Sequence, residues 1–295
     1  MRADLYVYSD SFAYNHSDDE VAILTKLKNF RDLTQKVADK DNVFLFNTDE
    51  FMATELLPDG TTCGDFILGQ HAYPKEISQL FFILLTSGVY HATNFTGEEI
   101  DELIEWHSED SCSAKVVLTK TECMERSKQV LGTYEDWRMF RSYFLGLYPG
   151  DVDFFYQECS KYYPNLVFGE RYKSQTKEVL VSHSEKITAC LLVMDTYFMN
   201  EFRVAQCSNI DFPRIFACKY NIEGGSFEGE KDEKFNVFFA DENTTLVCEP
   251  HLKFNSPDAS KAQKRNINQY CRIYFSMPTS KNSTKIHIGA IVRHL

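Results

Sequence analysis

The pattern of apolar residues changes near residue 205, and this change constrains the fold more than any other feature of the sequence. Before it, segments such as 19–39 and 182–202 carry apolar residues at helical spacing. After it, short segments such as 214–220 and 271–277 alternate, or are rich in β-branched and aromatic residues, as strands are. Runs of helices followed by runs of strands are typical of the α+β class.

We therefore predict an α+β fold with two units. The first, residues 1–205, is acidic and mostly helical with a small sheet, because LYVYSDSF and NVFLFN read as strands on either side of a helix. A further helix is predicted over 74–89, which begins with proline and has glycine near its end. The second unit, residues 206–295, is predicted to be a β-rich antiparallel module.

Composition restricts the classes of protein that this chain can belong to. The longest apolar run is FFILL, far shorter than the roughly 20 residues that a membrane-spanning helix needs. The start lacks the pattern of a signal peptide, and the nine cysteines include no CxxC pair. These features predict a soluble cytoplasmic protein with reduced thiols and no membrane partner. No P-loop or metal-ligand motif appears, so neither a cofactor nor a metal site is predicted.

Charge is distributed unevenly along the chain. The net charge is −12, yet residues 246–295 carry eight Lys and Arg against two acids, which makes this stretch +6 and leaves −18 on the rest. Such asymmetry indicates a C-terminal module that binds RNA or another polyanion. The acidic unit could restrain the basic module, or bind a protein partner. Chance bias in one stretch of surface is the alternative explanation.

Strand alternation places the polar residues of the C-terminal module on one face. Successive side chains of a strand point to opposite sides, so His251 and Lys253 share a face, and so do Arg272 and Tyr274. His287 lies between two isoleucines on the last strand. The predicted catalytic residues are His251, Lys253, Arg272, Tyr274 and His287, and the predicted nucleic-acid-binding residues are Lys285, Arg293 and His294.

These residue types fit the cleavage of RNA without a metal ion. Histidine can take the proton of the 2′-hydroxyl or protonate the leaving 5′-oxygen. Arginine and lysine stabilise the charge that develops on phosphate. Tyrosine can stack on a base or share in proton transfer. A polar, half-exposed face with no specific role is the competing interpretation, since many antiparallel sheets have one.

The C-terminal module also resembles two groups of proteins. The pattern H-x-K, R-I-Y-F, K-I-x-I-G-x-I-x-x-H-L resembles the end of uncharacterised bacterial proteins found among toxin and phage-defence genes. Residues 214–295 look like the RelE/ParE-type toxin fold, which implies mRNA cleavage by Arg, Lys, Tyr and His. The sequence departs from the first pattern at Val292, where that pattern has a second glycine.

The leading hypothesis is a toxin-like effector of a bacterial defence or toxin–antitoxin system that cleaves RNA. Its acidic unit would bind an antitoxin or a subunit of a defence complex. The alternative is a non-catalytic sensor or adaptor that binds a protein partner and a nucleic acid or nucleotide signal, and a third possibility is a plain interaction protein.

Two other parts of the sequence contain residues of types found in active sites. Several acids near the ends of the first strands could serve a PIN-like metal nuclease, but helix caps and solvated loops explain them better: Asp10, Asp18, Asp19, Asp49 and Glu50. The glycine-containing segment 223–230 is predicted to be a flexible hairpin loop.

Overall fold

The protein folds into two compact units, Met1–Phe140 and Arg141–Leu295. A computed structural model describes residues 1–13, 18–56, 59–69, 75–76, 79–80, 82, 90–120, 127–230, 232–255, 270–279 and 284–295. The predicted α+β class is confirmed. The division between the units differs from the predicted one near residue 205, because the strand Leu166–Phe168 already belongs to the sheet of the second unit. Most of the helix predicted over 74–89 lies outside the described residues.

The first unit contains a five-stranded parallel sheet with helices along the chain between its strands. Its elements are β1 Arg2–Val7, α1 Glu20–Val37, β2 Asn42–Phe46, α2 Thr48–Ala53, α3 Cys63–Leu68, β3 Tyr90–Ala92, α4 Gly97–Leu103, β4 Ser111–Val116, β5 Val130–Leu131 and the start of α5 Tyr134–Leu147. The strand order is β3-β2-β1-β4-β5, and each pair is parallel. The sheet is thus larger than the small one that the sequence predicts.

The acids near the first strands serve mainly local structure. Asp19 caps α1 by accepting a hydrogen bond from the Ala22 amide, and Asp18 pairs with Lys26 at 2.5 Å. Asp10 accepts a hydrogen bond from the Tyr8 hydroxyl at 3.0 Å. Within the described ranges, no three His, Cys, Asp or Glu side chains are grouped as metal ligands would be.

The second unit begins within α5 and is built around a mixed sheet. Its further elements are α6 Val152–Tyr162, β6 Leu166–Phe168, α7 Lys173–Val193, a π-helical turn Met194–Phe198, α8 Met199–Val204, α9 Phe212–Lys219, β7 Gly224–Ser226, β8 Asn236–Phe239, β9 Thr244–Val247, β10 His251–Asn255, β11 Tyr270–Ser276 and β12 Ile286–Val292. The order is β6-β12-β11-β10-β7, where β6 pairs parallel with β12 and the other pairs are antiparallel. Strands β8 and β9 form a separate hairpin.

Helix α9 replaces a strand that the sequence predicts at 214–220. Pro213 stands in its first turn, where proline favours a helix, and Phe212 and Phe216 lie one turn apart and are both buried. A segment this short satisfies the strand and the helix pattern equally well, and burial of the phenylalanines against Phe198 decides for the helix.

The two faces of the second sheet are covered differently. Leu252, Ile273 and Phe275 point to the helical side and are fully buried, with the Phe275 ring 5.1 Å from that of Phe198. On the opposite face, the hairpin β8–β9 packs against part of the sheet in a cluster that contains Phe235, Val237, Phe239, Cys248, Tyr274, Ala290 and Val292. Val292, where the resembling pattern has a second glycine, is therefore a core residue.

A β-bulge in β12 lets the hairpin approach the sheet closely. Tyr274 is paired with Ala290 and Phe275 with Ile288, so Gly289 is the extra residue. A Cβ atom at position 289 would lie 2.5 Å from the Cβ of Cys248. Only glycine fits this approach.

The cysteines behave as small core residues. The eight that the structure describes form no disulfide, and six of these are buried. In the described part of the chain, no helix has the length and apolar character to cross a membrane.

Gly225→Ala is expected to destabilise the second unit by about 3 kcal/mol. The added Cβ would lie 2.2 Å from the Pro213 carbonyl oxygen, which only a backbone shift relieves. Gly224→Ala is the matched control, because its Cβ would meet the flexible stem of Lys253 instead. Chemical denaturation followed by circular dichroism measures both variants. Equal losses of unfolding free energy in the two variants would contradict the packing.

Candidate functional site

The register of β10 and β11 brings four of the predicted residues together. His251 is paired with Tyr274, and Lys253 with Arg272. Residues directly opposite each other in an antiparallel pair point to the same side, so all four share one face. The predicted common face and its apolar underside are confirmed.

A pocket of about 280 Å³ opens on this face. Its walls come from β7, β10 and β11, from the loop after β7, from the turn before β8 and from the residues after β12. The lining residues are Ser226, Glu228, Glu230, Lys234, Phe235, Glu249, His251, Lys253, Tyr270, Arg272, Tyr274 and His294. Its volume is close to the lower end of the range for small-molecule sites, about 300–1,000 Å³.

Arg272 is the most constrained charge in the pocket. Its side chain is only 4% exposed, and its guanidinium donates a hydrogen bond to the Arg293 carbonyl oxygen. Among the described residues, no carboxylate lies within 4.0 Å of it or of the Lys253 ammonium. Like charges directly opposite across two strands repel, and a buried cation without a counter-charge is costly. The pocket therefore holds two cations that no described carboxylate pairs with.

Lys253 reaches the pocket because of the glycine opposite it. Gly224 pairs with Lys253 across β7 and β10, and a Cβ at 224 would approach the Lys253 Cε to 2.7 Å. The ammonium lies 6.0 Å from the centre of the Tyr270 ring. The glycine thus leaves room for the lysine stem to lie across the edge strand.

His251 is placed to accept a proton. Its Nδ1 lies 3.2 Å from the Glu249 carbonyl oxygen, and this contact favours the tautomer that donates from Nδ1 and keeps Nε2 as an acceptor. The ring lies 4.8 Å from that of Tyr274. Burial lowers the pKa of His251 from 6.5 to about 4, and the charges of Arg272 and Lys253 act in the same direction. The imidazole is therefore neutral at pH 7.

The loop after β7 is fixed by a buried carboxylate. Glu249 is 3% exposed and accepts hydrogen bonds from the amides of Glu228 and Gly229 at 2.9 and 3.0 Å. Gly229 has a φ of +77°, a conformation that favours glycine. Segment 223–230, predicted to be a flexible loop, thus forms strand β7 and an anchored wall of the pocket.

The other predicted residues are placed differently. His287 lies outside the pocket lining, where its Nε2 contacts the Glu242 carboxylate at 2.8 Å and its ring meets Phe239. Lys285 and Arg293 are exposed and do not line the pocket, whereas His294 does. The basic residues of 256–269 and Lys281 lie outside the described residues.

The competing interpretation, a half-exposed sheet face, does not hold for all four residues. Arg272 and Tyr274 are buried, and Tyr274 packs in the cluster that includes the hairpin β8–β9. Burial also raises the pKa of Tyr274, so its phenol stays protonated at neutral pH.

Sequence reasoning missed several pocket residues. Glu249 stands two positions before His251, so strand alternation extended backwards would have found it. Ser226 is opposite His251 only because β7 pairs with β10, which two adjacent glycines conceal in the sequence. Phe235 comes from a turn, and no local pattern assigns it to the pocket.

The pocket lining combines opposite charges with aromatic rings. Arg272 and Lys253 supply cations, Glu228 and Glu230 supply acceptors, and three aromatic rings line the same space. Comparison of the chain with protein-family models, with curated proteins and with solved structures found no match.

The imidazole of His251 is expected to titrate near pH 4 in the folded protein. The unfolded chain binds this proton near pH 6.5 and the folded chain does not. The unfolding free energy therefore falls as the pH is lowered from 6.5 to 4, by at most about 3 kcal/mol. NMR titration measures the pKa, and His251→Gln identifies the resonance and should flatten this part of the stability profile. A midpoint near 6.5 would contradict the burial of the ring.

Gly224→Ala is expected to weaken the binding of inorganic phosphate several-fold, because the new Cβ pushes the Lys253 stem out of position. Lys253→Met provides the reference for complete loss of this ammonium. Isothermal titration calorimetry at low ionic strength measures both. Unchanged phosphate affinity in Gly224→Ala, with a loss in Lys253→Met, would show that the stem has another path to the pocket.

Proposed function

We propose that the pocket binds a phosphodiester of RNA and that the protein cleaves the strand there without a metal ion. The observation that carries the proposal is the buried Arg272 guanidinium, which faces Lys253 and has no carboxylate within 4.0 Å among the described residues. A phosphate supplies the missing negative charge, and its oxygens match the donors of a guanidinium.

The side chains that line the pocket fit each step of such a cleavage. His251 Nε2 takes the proton of the 2′-hydroxyl, and the 2′-oxygen attacks the adjacent phosphorus. Arg272 and Lys253 stabilise the charge on the phosphorane oxygens. The bond from phosphorus to the 5′-oxygen then breaks, and His294 gives a proton to that oxygen. The products are a 2′,3′-cyclic phosphate and a 5′-hydroxyl.

This scheme revises the roles that the sequence predicts. His287 was a candidate acid or base, but its partners are Glu242 and Phe239, so His294 takes the role of the acid. Tyr274 has its hydroxyl 3.4 Å from the Leu295 amide and packs on the His251 ring. Tyr274 therefore positions His251, the general base.

We further propose that the protein is a toxin-like effector of a bacterial defence or toxin–antitoxin system, acting on RNA in the cytoplasm. The resemblance of residues 214–295 to RelE/ParE-type toxins supports this role. In that setting, the acidic N-terminal residues would bind a protein partner such as an antitoxin. A sensor that binds nucleotides without cleaving them is the second candidate, which the depressed pKa of His251 favours because so weak a base abstracts protons poorly.

Incubation with total RNA in EDTA is expected to yield fragments that end in cyclic phosphate. His251→Ala should reduce the rate at least about 100-fold, in line with the loss of a general base. Arg272→Met should weaken RNA binding at least about tenfold and leave the unfolding free energy unchanged or higher, since it removes an uncompensated buried charge. Gel analysis, filter binding and denaturation measure these three quantities.

His287→Ala is the matched control and should keep the cleavage rate. Binding that depends on Arg272 and falls with salt, but without cleavage, would assign the sensor role. Absence of both cleavage and RNA binding would overturn the proposal. Loss of stability in Arg272→Met would mean that the guanidinium has a structural role.

A further inference from the structure

The pocket contains carboxylates that a simple phosphate site would exclude. Its lining contains three Lys or Arg side chains and three glutamates, Glu228, Glu230 and Glu249. Carboxylates near a phosphate repel it and lower its affinity. Their presence therefore indicates a ligand that carries hydrogen-bond donors as well as a phosphate.

Glu228 is the carboxylate best placed to meet such donors. Ser226 is paired with His251, and Glu228 follows two residues later, where its amide is held by the buried Glu249. The Ser226 hydroxyl lies 3.4 Å from a carboxylate oxygen of Glu228, which places this carboxylate on the His251 side of the pocket. Glu249 is already engaged by two backbone amides, which leaves it less free to bind a ligand.

The remaining walls suit a nucleobase. Rings of Phe235, Tyr270 and Tyr274 line the same space, and aromatic rings stack on unpaired bases. The volume of about 280 Å³ lies near the lower end of the range for small-molecule sites, so the ligand is small. One nucleotide then spans the pocket, with its 3′-phosphate on Arg272 and Lys253 and its 2′-hydroxyl at His251.

We propose that Glu228 reads the base of this nucleotide and that the pocket selects guanine. Guanine presents two adjacent donors, N1–H and the N2 amino group, and a carboxylate with two oxygens accepts both side by side. Uracil, by comparison, offers one N–H. Because this inference rests on the proposed function, it places cleavage on the 3′ side of guanosine.

Binding of three mononucleotides to the full chain tests the inference. Guanosine, inosine and uridine 3′-monophosphates have the same sugar and phosphate, and inosine lacks only the N2 amino group. Loss of a hydrogen bond to a charged group weakens binding about 10- to 100-fold, so guanosine 3′-monophosphate should bind at least tenfold more tightly than the inosine analogue. Glu228→Gln should reduce this ratio below about threefold.

Glu233→Gln is the matched control, because it makes the same change of charge at a residue that does not line the pocket, and it should keep the ratio. Arg272→Met and Lys253→Met should weaken all three nucleotides alike. A guanosine-to-inosine ratio near one, with binding still dependent on Arg272, overturns the guanine inference alone. If Glu228→Gln raises the affinity for all three nucleotides equally, the guanine inference is also overturned, because Glu228 would then only repel the phosphate. No binding of any nucleotide overturns the inference together with the proposed function.

Discussion

Burial of an apolar underside fixes the register on which the whole pocket depends. Leu252, Ile273 and Phe275 are fully buried on the helical side of the second sheet. A slip of one residue between β10 and β11 would turn over the side chains of the strand that moves and drive either Lys253 or Arg272 into the apolar layer. The repulsion between these two cations is therefore tolerated, because a one-residue slip would disrupt the core.

The hairpin β8–β9 turns this sheet face into a pocket. Val237 and Phe239 cover the part of the face around Ala290 and Val292, and the space beside them stays open to His251. Reduced exposure to water strengthens every charge–charge interaction in that space, and it is the main reason that the pKa of His251 is depressed. Gly289 allows the close approach of the hairpin, so a single bulge links the packing of the cluster to the electrostatics of the site.

Alternation along the strands predicted the common face of His251, Lys253, Arg272 and Tyr274, because this periodicity is local. It did not predict the surroundings of His287, since a distant hairpin decides which groups contact that ring. The helix at Phe212–Lys219 was read as a strand because its burial depends on Phe198, more than ten residues away. The burial of Arg272 and Tyr274 was not predicted, because it depends on contacts with other segments of the chain. Patterns within a segment were thus predictable, and contacts between segments were not.

The topology of the second sheet also sets when the pocket can form during synthesis. Its order, β6-β12-β11-β10-β7, places the strands made last in the centre and β6, made more than a hundred residues earlier, at an edge beside β12. On a ribosome, β6 has no partner in the sheet until β12 has emerged, so the sheet is completed only late in synthesis. The guanidinium of Arg272 takes its final place only when the Arg293 carbonyl oxygen is there to accept its hydrogen bond. The pocket, which His294 also lines, is therefore the last part of this unit to be completed.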